Sequence, residues 1–246
     1  MREFVADVGN TRIKLGEIAP AGLDRTAAVL LDDDSALASV AAEWRLSEPG
    51  LWTLAGTHPE ARERLARWLT SHGQRTRIIS DYRQVPICFV HDPPEQIGLD
   101  RLLNAVAVIP KVPRGTPIIV VNAGSAVTVD LIDPEGTFVG GAIFPGFRMM
   151  ARALHDFTAR LPLIESFDSS YLIPQRNTAG AIGCGISDAI KGGIGRLVNA
   201  MPFAGHRIFL AGGDAELLAA DLDFEFELAG PYLTLEGIQI AARNLS

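Results

Sequence analysis

The chain has 246 residues, 48% of them hydrophobic, which is enough for a sizeable core and leaves both one domain and two compact lobes open. No apolar stretch approaches the about 20 residues of a membrane span, and a net charge of −7 without a basic run argues against nucleic acid, so any anionic ligand must be met by local donors. Two cysteines, Cys88 and Cys184, are too few for a zinc cluster or a disulfide framework, and a start at Met1-Arg2-Glu3 without an apolar leader gives the cytoplasm as the expected location.

From Glu3 to Ile18 the pattern predicts a β-hairpin whose turn spans Asp7 to Thr11. Asp34 to Leu46 and His58 to Leu69 have helical spacing, with short strands at Leu51 to Leu54 and Arg77 to Ile79. A Pro-rich loop, Val85 to Pro94, leads to a helix from Gly98 to Ile109. Lys111 to Pro117, with its prolines and glycine, is the expected boundary, dividing the chain into domains 1–112 and 113–246. The second half restarts with strands at Ile118 to Val121, Val127 to Ile132 and Thr137 toward Ala142. Helices at Phe147 to Phe157 and Thr178 to Met201, a strand at Ile208 to Leu210, the Gly212-Gly213 turn, and helices at Asp214 to Leu222 and Leu233 to Asn244 complete it. The expected fold class is α/β, two lobes with a ligand cleft between them.

The openings of the two halves resemble each other. Set side by side, Phe4-Val5-Ala6-Asp7-Val8-Gly9-Asn10-Thr11 and Ile119-Val120-Val121-Asn122-Ala123-Gly124-Ser125-Ala126 place Asp7 on Asn122, Gly9 on Gly124 and Asn10 on Ser125. Each stretch is either an ordinary hairpin turn or a phosphate-binding turn. In the second case Gly9 lets the backbone approach an oxygen, Asn10 and Thr11 donate, Asp7 holds Mg²⁺ and Lys14 brings positive charge. No P-loop pattern occurs, and Gly192-Gly193-Ile194-Gly195 is explained by close helix packing. Gly98-Leu99-Asp100-Arg101 sets a carboxylate and a guanidinium at a helix start, where they either form a simple cap or serve as a proton acceptor and an anion-binding group. No Ser-His-Asp or Cys-His set stands out, and the five histidines lack metal-ligand spacing.

Read in order, Asp7-Val-Gly-Asn-Thr11, Gly98-Leu-Asp-Arg101, Asn122-Ala-Gly-Ser-Ala126, Gly140-Gly-Ala-Ile-Phe-Pro-Gly146, Thr158-Ala-Arg-Leu-Pro162, Asn177-Thr178 and Gly212-Gly-Asp-Ala215 resemble type III pantothenate kinases over most of the chain. The resemblance implies two duplicated ribonuclease H-like lobes of the actin-like ATPase kind. It also implies ATP-dependent phosphorylation of pantothenate, the first step of coenzyme A synthesis. The cofactors would be Mg²⁺ and a monovalent cation, K⁺ or NH₄⁺, and the assembly a homodimer with the site at its interface. Carried over, Asp7, Val8, Gly9, Asn10, Thr11, Arg12, Ile13 and Lys14 form the first phosphate loop, with Asp7 toward Mg²⁺, and Ser125 contacts phosphate in the second. Asp100 is the general base; His91, Gly98, Leu99, Asp100, Arg101 and Thr178 hold pantothenate. The sequence departs from the family at Asn122, where an aspartate usually serves the monovalent cation, and at His91, where a tyrosine is common. His91 either keeps a hydrogen bond to substrate or is a loop residue. The alternatives are a non-catalytic, nucleotide-binding regulatory paralogue of the same fold and another actin-like kinase or phosphatase with a different substrate.

Overall fold

A computed structural model describes residues 1–90 and 93–245. Met1–Lys111 together with the segment from Tyr232 onward forms one compact unit, and Val112–Pro231 forms a second.

In the first unit, β1 (Arg2–Val8) lies between an antiparallel β2 (Arg12–Ala19) and a parallel β4 (Gly50–Ala55). β3 (Gly22–Leu30) and β5 (Arg75–Ile78) are the edges, giving the order β3-β2-β1-β4-β5. Strand alternation sends Phe4, Ala6 and Val8 to one face, where they pack with Trp52, Leu54 and the inward residues of α1 (Asp34–Glu43) and α2 (Pro59–Ser71). α2 starts where it does because His58 accepts from the Ala61 amide and Pro59 needs no donor of its own. It buries Ala61, Leu65 and Leu69, one turn apart. The opposite face of the sheet carries Val5, Asp7 and Lys14 and meets α7 (Leu233–Ala242), which also packs on α3 (Leu99–Val108).

The α3–α7 crossing is close because Gly237 has no side chain: a Cβ there would lie 2.0 Å from the Leu103 carbonyl oxygen. Within the same crossing the Thr234 hydroxyl donates to Asn104 Oδ1 at 2.9 Å, both residues being buried. The sequence assigned everything beyond residue 112 to the second lobe. Instead α7 returns to the first unit, because its apolar face, Leu235, Ile238 and Ala242, is buried there against α3 and the sheet.

The second unit repeats the topology, with β6 (Ile118–Ala123), β7 (Ala126–Ile132), β8 (Phe138–Pro145), β9 (Arg207–Ala211) and β10 (Glu227–Gly230) in the order β10-β9-β6-β7-β8. β6 pairs antiparallel with β7 and parallel with β9, as β1 does with β2 and β4. Ile119, Val121, Val127 and Val129 face a core shared with α4 (Phe147–Asp156) and α5 (Thr178–Ala200), whose Ile182, Ile186, Ile190 and Ile194 recur every fourth residue. α6 (Ala215–Ala219) is shorter than the expected helix from Asp214 to Leu222. β3 and β10 are absent from the expected set. Both are edge strands with almost no buried side chains, so neither shows the apolar alternation that reveals a central strand.

Candidate active site

Asp7 stands near the end of β1, opposite Lys14 on β2 and beside Ala55 on β4. The turn beyond it is closed by the Gly9 amide donating to the Arg12 carbonyl at 3.0 Å, with Asn10, Thr11 and Arg12 exposed. Neighbouring backbone fixes the turn from both sides. The Leu31 amide donates to the Thr11 carbonyl at 3.1 Å, and the His58 amide donates to the Val8 carbonyl at 3.3 Å. Gly56 fits against Val8 with φ of +131°, where a Cβ would lie 2.2 Å from the Val8 carbonyl oxygen.

Burial pushes the half-buried Asp7 carboxyl from its ordinary 3.8 up to about 6; Lys14 opposes this and the charge of Asp100 adds to it. Asp100 sits in the first turn of α3, after an N-cap Gly98 that supplies no side-chain cap. A Cβ on Gly98 would come within 2.7 Å of Asp100 Oδ1, so the glycine leaves room for that carboxylate. Burial raises the Asp100 carboxyl above the usual range, against the opposing pull of the Arg101 backbone amide and the Arg101 guanidinium. Arg101 itself is buried. The first unit therefore brings Asp7, Lys14 and Asp100 into one electrostatic neighbourhood, although Asp7 and Asp100 are far apart in sequence.

The corresponding turn of the second unit follows the same plan with one residue fewer. Asn122 pairs with Thr128 on β7 and Ala211 on β9, and the Gly124 amide donates to the Ala126 carbonyl at 3.0 Å. Ser125 is exposed, and its carbonyl accepts from the Gly146 amide at 3.0 Å. This is the bond that the Thr11 carbonyl makes in the first unit, so Thr11 rather than Asn10 is the counterpart of Ser125. The Asp214 amide donates to the Ala123 carbonyl at 3.1 Å, and Gly212, with φ of +98°, packs so that a Cβ would lie 2.1 Å from that oxygen. Asp214 thus occupies the place of His58, and Gly212 that of Gly56. Thr178 is the first residue of α5, exposed, behind Asn177, whose side chain accepts from the Gly180 amide at 2.8 Å. It lies in the second unit, and Gly98 to Arg101 lie in the first. His91 falls outside the described residues.

Two features escaped the sequence. Thr128, the counterpart of Lys14 in the duplicated register, is buried, and its hydroxyl has no hydrogen-bond partner among the described residues. Arg148 Nη1 donates to both carboxylate oxygens of Asp214 at 2.9 Å. The duplication is the signal that could have found Thr128, but nothing local pairs Arg148 with Asp214, 66 positions away. Among the described residues no group of three or more His, Cys, Asp or Glu is placed to hold a metal ion by itself.

A family model described as type III pantothenate kinase matches residues 3–200. The chain belongs to the type III pantothenate kinase family. A type III pantothenate kinase from Dechloromonas aromatica (strain RCB) is 34% identical over 239 residues, covering 95% of each chain. Another member, from Aromatoleum aromaticum, is 32% identical over 255 residues and covers 98% of each. Among solved structures, a putative 2-dehydro-3-deoxygalactonokinase from Sinorhizobium meliloti superposes with a TM-score of 0.64 over 98% of each chain at 11% identity, a likeness of fold alone. The fold of this family member is that of the actin-like ATPases and sugar kinases, built from two mixed five-stranded sheets.

Proposed function

We propose that this member of the family transfers the γ-phosphoryl group of ATP to the primary alcohol of pantothenate, the first step of coenzyme A synthesis. The observation that carries the proposal is the placement of Asp100, at the start of α3, within electrostatic reach of the Asp7 turn. A carboxylate whose proton affinity is raised by burial is a better base than an exposed one, and Asp100 is such a carboxylate.

In the proposed reaction Asp100 takes the hydroxyl proton as the alcohol oxygen forms its bond to the γ-phosphorus and the bond to the ADP oxygen breaks. Gly98, Leu99 and Arg101 hold the acceptor, with the Arg101 guanidinium on its carboxylate. His91 and Thr178 complete the acceptor site, and Thr178 does so for the neighbouring subunit. The turn from Val8 to Ile13, with the side chains of Asn10, Thr11 and Arg12, and the Lys14 ammonium meet phosphate oxygens, while Ser125 meets them from the second turn.

Asp7 would hold Mg²⁺. It fits that ion because it is one half-buried carboxylate with a second carboxylate nearby, and Mg²⁺ commonly takes one or two protein carboxylates and completes its shell with phosphates and water. Bound there, the ion neutralises charge on the phosphate oxygens. Asn122 and the Thr128 hydroxyl, without a partner among the described residues, offer neutral oxygens to a monovalent cation, K⁺ or NH₄⁺, in place of the usual aspartate. The homodimer is supported by exposed apolar side chains on β8 and on and just beyond α4 of the second unit: Val139, Ile143, Met149 and Phe157, the last 89% exposed. No described helix is long and apolar enough to cross a membrane, and we place the reaction in the cytoplasm with its substrates.

Coupled measurement of ADP release, with and without pantothenate, tests the proposal. Pantothenate-dependent turnover is expected from the natural protein, and Asp100→Asn is expected to lower kcat by about 10²- to 10⁴-fold while leaving the protein folded. A folded protein that binds ATP but never turns over with pantothenate would instead be the non-catalytic paralogue.

A further inference from the structure

The two units repeat each other closely enough that their differences are informative. In the first unit the residue after the sheet's β4 turn, His58, caps its own helix by accepting from the Ala61 amide at 3.3 Å. Likewise Asp33, two residues beyond the Leu31 amide that binds the turn, caps α1 by accepting from the Ala36 amide at 2.9 Å. Their counterparts in the second unit are Asp214 and Arg148, by the equivalent backbone bonds to Ala123 and Ser125. Neither caps a helix: Asp214 stands at the N-cap of α6 without a capping bond, and α4 begins at an uncapped Gly146. They pair with each other instead. The pair joins the two pieces of backbone that grip the second turn, and it buries a carboxylate, 5% exposed, directly behind Ala123.

We propose that Arg148 is a positioning residue for ATP: by neutralising Asp214 it keeps an uncompensated negative charge away from the phosphate held at the Ser125 turn. The inference rests on the proposed role of that turn in binding ATP. An ionised carboxylate buried without a partner is among the most costly arrangements in a protein interior, and a phosphate brought close to it meets direct repulsion. One guanidinium nitrogen makes both contacts, and the Arg148 side chain as a whole stays 61% exposed. Charge, rather than a bidentate fork, is therefore what the site requires, and a lysine meets that requirement.

The test compares KM for ATP, KM for pantothenate and kcat in Arg148→Met, Arg148→Lys and Arg148→Met/Asp214→Asn. Arg148→Met is expected to raise KM for ATP about tenfold, discounted for the exposure of the arginine, with KM for pantothenate unchanged. Arg148→Lys is expected to stay near the natural value. The double variant, which removes both charges, is expected to recover to within about threefold of it. A merely structural cross-link would instead lower the melting temperature in all three without a selective change for ATP. An unchanged KM for ATP in Arg148→Met, or a double variant no better than the single one, overturns the proposal. If Arg148→Met does not fold, the double variant decides alone, and a KM for ATP raised more than about threefold there is the overturning result. Ser125→Ala separates this inference from its foundation. If that change leaves KM for ATP unaltered, the phosphate role of the second turn fails. If it raises KM while Arg148→Met does not, only the role of Arg148 fails.

Discussion

Replacing Asp7 by asparagine is expected to make the ligand-free protein more stable at pH 8 while abolishing phosphoryl transfer. The folded protein holds the Asp7 proton up to about pH 6, against an ordinary carboxylate value of 3.8. Each pH unit of that difference corresponds to about 1.4 kcal/mol, so keeping Asp7 ionised in the fold costs about 2 to 3 kcal/mol. The favourable contribution of the protonated carboxyl is fully present below the unfolded value of 3.8, is lost as pH rises through about 6, and stays lost above it. Urea unfolding of the natural protein and of Asp7→Asn at pH 4, 5, 6, 7 and 8, without nucleotide or metal, should therefore show curves that agree at the acid end and separate by about 2 to 3 kcal/mol at pH 8, the variant being the more stable. The mild stabilisation is the signature of a charge kept for a ligand. Equal stabilities at pH 8, or a natural protein that outlasts the variant there, would refute the argument that burial rather than the Lys14 ammonium dominates at Asp7.

Other expectations follow from the same geometry. Asn122→Asp restores a charged ligand beside Thr128 and is expected to strengthen activation by K⁺ several-fold, measured as the K⁺ concentration giving half-maximal rate; an unchanged curve removes Asn122 from the cation site. Gly237→Ala forces a methyl group to within 2.0 Å of the Leu103 carbonyl oxygen and must push α7 from α3. A loss of about 2 to 3 kcal/mol, or roughly 5 to 10 °C in Tm, is expected by calorimetry, and a fall of less than 2 °C would mean the crossing is looser than described.

How much could be read in the sequence divides along physical lines. The β1–β2 hairpin, the turns at Asp7 and Asn122, and the helix start at Gly98 are local, and turn chemistry with apolar alternation shows each of them. The edge strands β3 and β10 were invisible because what fixes them is a neighbour's unpaired backbone, not their own side chains. α7 was recognisable as a helix, but its partner was not, since Gly237 meets Leu103 only after the whole chain has closed. Asp100 was legible as a residue at a helix start, and its influence on Asp7 was not, because folding alone brings the two carboxyls together. Arg148 escaped for a related reason: an arginine in the first turn of a helix carries no mark of a buried partner elsewhere.

The return of α7 bears on the order in which this chain can acquire its structure. Val112–Pro231 is contiguous and can condense as soon as it leaves the ribosome, whereas the earlier-made stretch up to Lys111 lacks a wall until Leu233–Ala242 has been synthesised. Until then Leu103 and the sheet face bearing Val5 and Gly16 have no helix to cover them. A released chain cut after Pro231 would accordingly hold every residue of the second unit, while its first unit still presents apolar surface to chaperones.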